Sequence, residues 1–186
     1  MKLTIITLLL TVSYIANSQE IDGFTLKDAR SNKTYSINSK NKAAIALIFH
    51  SNKCAYSKYY IDRIKSLVNE FGPKQVEFVL INSNSSDLVI QESPDKMKQY
   101  LIANDLNIPY LIDNEKSLKS SLRATRTPEV FLFNAKLKLV YSGSIDDSPQ
   151  SEGDISHAYL KEAILTLLDN NQPEVNKTRA VGCLIK

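Results

Sequence analysis

The order of apolar segments predicts one α/β domain, a mixed sheet with helices on both faces. Three observations carry that expectation. Residues 43–49 are a continuous apolar run bounded by polar residues, the pattern of a strand buried on both sides, and 76–81, apolar but for Glu77, read as a second buried strand. Between them Ile61, Ile64, Leu67, Val68 and Phe71 recur at helical spacing. Beyond them, helix-like and strand-like patterns continue in turn to residue 168.

Taken in chain order, residues 24–26 and 33–37 flank the turn-rich stretch Asp28-Ala29-Arg30-Ser31-Asn32 and read as a short hairpin. Run 43–49 is the central strand, and the helix after it stops at Gly72-Pro73. Run 76–81 is a second buried strand. Ser93 then caps a helix whose first turn takes Pro94 and whose inner side carries Met97, Tyr100, Leu101 and Leu106. Residues 129–133 and 137–142 read as strands joined by the turn Asn134-Ala135-Lys136, and 155–168 as a closing amphipathic helix. No repeat or linker interrupts the chain. The expected organisation is a leader over 1–18, one domain over 19–171, and an extended tail over 172–186.

Composition narrows the function classes. Among 186 residues, 23 Lys and Arg face 20 Asp and Glu, a formal charge of +3 and far from the basic excess of a dedicated nucleic-acid binder. With 43% hydrophobic residues, 5 Gly and 6 Pro, collagen-like and disordered classes fall away. Two cysteines exclude a disulfide-dense scaffold and a four-thiolate zinc site, leaving one bridge or one reactive thiol with a partner. At the N-terminus, Met1-Lys2 precedes an apolar run to Ile15 and the small residues Ala16 and Ser18, the layout of a cleaved export signal with Gln19 as the new terminus. The run is shorter than the roughly 20 residues a bilayer span needs, so no stable membrane insertion is expected after cleavage. The expected destination is a periplasm or the exterior, where thiols meet oxidants.

Cys54 stands just after the central strand and just before the first helix. A thiol there lies among the free N–H groups of a helix start, which favour the thiolate, and Lys53 and Lys58 add positive charge. The thiolate is the nucleophile in exchange chemistry. About seventy residues on, Thr127-Pro128 precedes a strand, where proline cannot donate to the ladder. A cis peptide at that step would present the backbone of Thr127 at an open strand edge, able to pair with an extended substrate.

These features resemble the thioredoxin fold and, more narrowly, bacterial redoxin or peroxiredoxin-like proteins. The resemblance runs through Cys54-Ala55-Tyr56 with Asp62-Arg63, Ile81-Asn82-Ser83-Asn84, Ser93-Pro94-Asp95-Lys96-Met97 and Pro109-Tyr110-Leu111-Ile112-Asp113. It continues through 126–133, Leu139-Val140-Tyr141-Ser142-Gly143, Asp146-Asp147 and the terminal Gly182-Cys183-Leu184-Ile185-Lys186. It implies a thioredoxin-like three-layer sandwich and a thiol oxidoreductase with antioxidant character. Cys54 would be nucleophile toward a disulfide-bearing protein or a peroxide, with an external thiol as reductant and no cofactor or metal.

Departures from the family patterns matter. Thioredoxins carry C-x-x-C, and here the fourth position is Ser57, which follows Tyr56. Peroxiredoxins carry P-x-x-x-[TS]-x-x-C; Ser51 holds the hydroxyl position, but Leu47 stands where the proline belongs. Arg126 is a candidate for the cation beside a peroxidatic thiolate, or else a surface arginine. Cys183, near the C-terminus, is expected to fold back to Cys54 as a resolving thiol or a permanent bridge; pairing with another subunit is the competing reading. A permanent bridge would make the protein a non-catalytic binding module that reads extended peptides along the Thr127-Pro128 edge.

Other candidates carry less. His50 and His157 are not spaced as a metal pair, though His50 could tune Cys54. Asp146-Asp147 reads as a solvated turn, and Asp113, Glu115 and Glu129 are possible proton acceptors without an evident partner. No Gly-rich phosphate loop exists. Asn32, Asn84 and Asn176 each begin an N-x-[ST] triplet.

Overall fold

A computed structural model describes residues 21, 23–84 and 89–186. The leader expected over 1–18 lies outside these residues. The central strand β3 (Ala44–Phe49) is buried at every position. Because side chains alternate across a sheet, Ala44, Ala46 and Ile48 enter one core cluster, while Ile45, Leu47 and Phe49 enter the other. The strands beside it divide the same way. In β4 (Val76–Asn82) and β7 (Glu129–Asn134), Phe78, Leu80, Val130 and Leu132 face the first cluster and Val79, Ile81, Phe131 and Phe133 the second.

The apolar surface of these three strands on each side is what the helices cover. The first cluster lies under α2 (Ile61–Phe71), α3 (Pro94–Ala103) and α5 (Tyr159–Leu168), through Ile64, Phe71, Met97, Leu101, Leu160 and Ile164. The second takes Leu118 and Leu122 of α4 (Ser117–Leu122). The expected three-layer α/β sandwich is therefore present. The sheet runs β2-β1-β5-β4-β3-β7-β8, with β1 (Thr25–Asp28) and β2 (Thr34–Ser36) as the expected hairpin, β5 (Tyr110–Ile112) between the hairpin and β4, and β8 (Leu139–Gly143) at the far edge. β3 is parallel to β4 and antiparallel to β7.

Three features depart from the sequence expectations. β5 (Tyr110–Ile112) joins β4 to the hairpin, yet three residues are too few to show a period. The closing helix starts at Tyr159 rather than 155, because Ser156 N donates to Asp147 Oδ1 and Asp147 N to His157 O, which holds the intervening backbone in a loop. Asp146 is no solvated turn residue. It is 2% exposed and accepts from Arg63 Nη1 (2.6 Å), Tyr60 Oη (2.9 Å) and Ser148 N (3.0 Å). The tail folds back as expected and docks, ending in β9 (Cys183–Leu184) beside β6 (Arg126–Thr127). Among the described residues no helix is long and apolar enough to cross a membrane.

Candidate functional site

β3 ends at Phe49, and His50 N still donates to Ile81 O, so the chain leaves the sheet at Ser51. Three residues later Cys54 is the N-cap of α1 (Ala55–Tyr59), with φ −73° and ψ 122°. Tyr60 is also helical in backbone and α2 follows directly, so α1 and α2 form one nearly continuous rod starting at the sulfur. Cys54 N donates to Ser51 Oγ (3.2 Å), and Lys58 N closes the first turn onto Cys54 O (3.2 Å).

The short loop ahead of Cys54 is held by Glu92, a residue the sequence reading passed over. Glu92 is 4% exposed, and its carboxylate accepts from four donors: Ser51 Oγ at 2.5 Å, Asn52 N at 3.1 Å, Lys53 N at 3.2 Å and Asn82 Nδ2 at 2.7 Å. A buried carboxylate needs such partners, since leaving it unpaired would cost several kcal/mol. Asn52 also reaches Gln91 O through Nδ2 and accepts from Tyr110 Oη through Oδ1, which ties the loop to α3's approach and to β5.

Cys54 is bonded to Cys183, with Cα atoms 5.9 Å apart, within the usual range for a disulfide. The bridge spans 129 positions. Two further clamps seat the tail. At its base Thr178 N donates to Ser142 O (2.9 Å), and Thr178 Oγ1 accepts from Ser144 N (2.9 Å) and meets Tyr141 Oη (2.7 Å). Thr178 packs so closely on Gly143 (φ +140°) that any Cβ there would overlap it. At its tip Cys183 pairs with Thr127 and Leu184 with Arg126, antiparallel. Arg126 Nη1 donates to Gly182 O (2.8 Å), Ile185 N to Thr125 O (3.0 Å) and Lys186 N to Asn84 Oδ1 (3.0 Å).

The Thr127–Pro128 peptide bond is cis, and Cys54 Sγ lies 3.0 Å from Thr127 O. The strand edge expected to be open is thus occupied by the chain's own tail. Gly182 makes that possible: a Cβ on it would overlap Thr127 O. Arg126 serves the tail carbonyl rather than a sulfur. Ser57 is fully buried and its Oγ accepts from Ser51 N (3.3 Å), while Tyr56 is half-buried and stacks edge-on against Tyr59. A cavity of about 220 Å³ adjoins the bridge, lined by Ser51, Cys54, Glu92, Asn84, Cys183 and Leu184.

The remaining candidates lie elsewhere. Asp113 is 1% exposed and accepts from Ser83 Oγ, Leu118 N and Lys119 N, so it seats the start of α4. Glu129 accepts from Thr125 N and Arg126 N and shapes the turn into the Thr127-Pro128 step. His50 is fully buried between Tyr100 and Tyr110, its ring nitrogens without a partner among the described residues. Burial lowers its pKa to about 3, which keeps the imidazole neutral at ordinary pH. Among the described residues no group of three or more His, Cys, Asp or Glu is placed to hold a metal.

Glu92 and Gly182 could have been noticed only weakly. Glu92 is an acid beside the Ser93-Pro94 helix start, a common arrangement, and Gly182 is one of only five glycines and abuts a cysteine.

Comparison with known proteins agrees with this architecture. Among solved structures, an uncharacterized conserved protein from Geobacillus kaustophilus is 30% identical, with 91% of this chain and 90% of that chain covered and a TM-score of 0.84. A hypothetical protein from Sinorhizobium meliloti 1021 is 25% identical, covering 94% of this chain and 96% of that one, also at 0.84. A peroxidoxin from Mycobacterium tuberculosis, 14% identical over 84% of this chain and 97% of its own, shares the fold at 0.60. No curated protein matches the chain. The pattern that defines the AhpC/TSA family matches residues 18–142, more than half the chain, including Cys54 and the cis Thr127–Pro128 step; the protein belongs to the AhpC/TSA family and has the thioredoxin-like fold.

Proposed function

We propose that this protein is an exported thiol–disulfide oxidoreductase in which Cys54 and Cys183 are the exchanging pair. The observation that carries the reading is the placement of the bridge: one sulfur at the start of a helix after the central strand, the other on a strand paired with the Thr127-Pro128 edge. In the reduced protein the Cys54 thiolate attacks a substrate disulfide, forming a Cys54–substrate bond and expelling one substrate thiolate. The Cys183 thiolate then attacks Cys54 Sγ, closes the bridge and expels the second. An external thiol reductant returns the two electrons. It meets Cys183 first, because Cys183 is half-exposed and Cys54 only 3% exposed; Cys54 is the leaving thiolate, released among the free N–H groups at the helix start.

Disulfides are favoured over peroxides as substrates by Glu92. The Ser51 hydroxyl and the Asn52 and Lys53 N–H groups, the donors that would align a peroxide ahead of the thiol, all point at its carboxylate. Relatives by fold include a peroxidoxin and a disulfide oxidoreductase, so neither chemistry is foreign to the architecture. The competing reading is a binding module with a permanent bridge, favoured by the deep burial of Cys54 and the occupied edge.

Equilibration in glutathione buffers of graded potential separates the two. A working pair is titrated between reduced and oxidised forms above about −300 mV, whereas a permanent staple stays oxidised until the potential falls below that value. Cys183→Ser should then trap substrate on Cys54, and reduced protein should consume hydrogen peroxide no faster than an unassisted thiol. Export over residues 1–18 is tested by N-terminal sequencing of the secreted protein, with Gln19 expected first.

A further inference from the structure

The tail that closes the Thr127-Pro128 edge is held by more than its sulfur, and the contacts differ by position. At Gly182 the backbone presses on Thr127, where a Cβ would overlap the carbonyl oxygen and come within 2.7 Å of the carbonyl carbon. Arg126 Nη1 fixes the same residue by its carbonyl. Leu184, the residue after the cysteine, is 64% exposed. Ile185 turns the other way: it is 9% exposed, joins the apolar cluster beneath the sheet, and donates its N–H to Thr125 O. Lys186 donates its backbone N–H to Asn84 Oδ1.

We infer that residues 182–185 are an internal copy of the preferred substrate, and that the edge vacated by Cys183 selects extended peptides bearing glycine, cysteine, any residue, and then an aliphatic residue. The inference rests on the exchange reading above and adds the identity of what is exchanged. Each preference has a separate cause. Glycine is required before the cysteine because the strand pairing leaves no volume for a side chain against Thr127. The residue after the cysteine is free because it points to solvent. The next is aliphatic because alternation along a strand turns it back into the sheet's second cluster. Main-chain pairing to Arg126 and Thr127 supplies the sequence-independent part of the affinity. On docking, the Cys54 thiolate bonds to the peptide sulfur and the peptide's former disulfide partner departs with the electron pair; Cys183 then displaces the peptide as a thiol.

The test uses the fully reduced chain and four synthetic tetrapeptides, Gly-Cys-Leu-Ile, Ala-Cys-Leu-Ile, Gly-Cys-Leu-Ser and Gly-Cys-Ser-Ile. Each is presented as the mixed disulfide with 5-thio-2-nitrobenzoate, whose release is followed by absorbance. The Ala-first and Ser-last peptides should react about tenfold or more slowly than Gly-Cys-Leu-Ile, as loss of one fitted contact allows, while Gly-Cys-Ser-Ile stays within about twofold. The retained tail competes equally with all four and leaves their ratios unchanged. Independently, Gly182→Ala in the protein should let the Cys54–Cys183 bridge open at about tenfold lower ratio of reduced to oxidised glutathione than the parent. Equal rates for all four peptides, with the symmetrical nitrobenzoate disulfide still consumed rapidly, would overturn the internal-copy assignment and leave the exchange activity standing. Failure to consume that non-peptide disulfide would instead sink the exchange reading itself.

Discussion

Ser51 Oγ donates to Glu92 Oε1 across 2.5 Å, joining residues 41 positions apart directly ahead of the cysteine. The same hydroxyl accepts from Cys54 N. One side chain thus connects the buried carboxylate to the start of the helix, and the loop carrying the sulfur is held from below as well as by its own bonds. Lys53 N is shared between Ser51 Oγ (3.3 Å) and the carboxylate (3.2 Å), while Ser51 Oγ and Asn52 N also donate to Glu92, so the carboxylate bears on both the order of the loop and what small molecules can be aligned there.

Glu92→Gln keeps the shape but turns one acceptor oxygen into a donor facing donors. It should lower stability by about 1–3 kcal/mol, read from urea unfolding of parent and variant, both oxidised. Ser51→Ala removes only one of the four donors and should cost less. A Gln variant as stable as the parent would mean that the loop is held by other contacts.

Loss of the bridge has a magnitude set by its span. Closing a loop of 129 positions stabilises the folded state by up to about 5 kcal/mol in the chain-entropy model, with typical measured values of 2–4. Cys54→Ser and Cys183→Ser should each fall below the oxidised parent by similar amounts, and reductant should erase most of the gap. If one variant loses far more than the other, its cysteine contributes packing beyond the bond.

Ser57 faces the same loop as Cys54 from one turn inside the helix, fully buried with its Oγ accepting from Ser51 N. A cysteine there creates the local pair that this chain lacks. Reoxidised Ser57→Cys should favour the short 54–57 bridge, leaving Cys183 free; alkylation followed by peptide mass mapping should find the label on Cys183. Continued protection of Cys183 would show that the docked tail outcompetes a neighbour three residues away.

His50 sets a pH dependence. Its folded pKa of about 3 lies below the ordinary 6.5 because burial disfavours the imidazolium. The unfolded chain therefore takes up a proton first as pH falls, and stability is lost from about pH 6.5 downward toward 3. By pH 4 the loss from this group is about 3 kcal/mol. His50→Phe, which keeps a ring between Tyr100 and Tyr110, should unfold at similar urea concentration to the parent at pH 7.5 and at clearly higher concentration at pH 4. Parallel curves for the two proteins across that range would contradict the neutral, buried assignment.

The sequence alone determined the elements whose signal is local. Every side of β3 is apolar because both faces of that strand are covered, so 43–49 is readable without knowing its neighbours. The spacing of Ile61, Ile64, Leu67 and Phe71 carries α2, and the position of Cys54 between the two places it at the helix start. The Thr127-Pro128 step before an apolar run likewise marked a strand entrance. What only the tertiary structure decided involves residues far apart along the chain. Glu92 finds three of its four donors 39 to 41 positions earlier, Arg63 finds Asp146 83 positions later, and Gly182 meets Thr127 through a strand of two residues. A buried carboxylate and a solvated one look alike in sequence, because their difference is the set of donors that folding brings to them. Cys183 sits in a segment with no period of its own; whether it hangs free, bridges subunits or closes the Cys54 site is settled by loop closure, and in this fold β6 supplies the edge on which it closes.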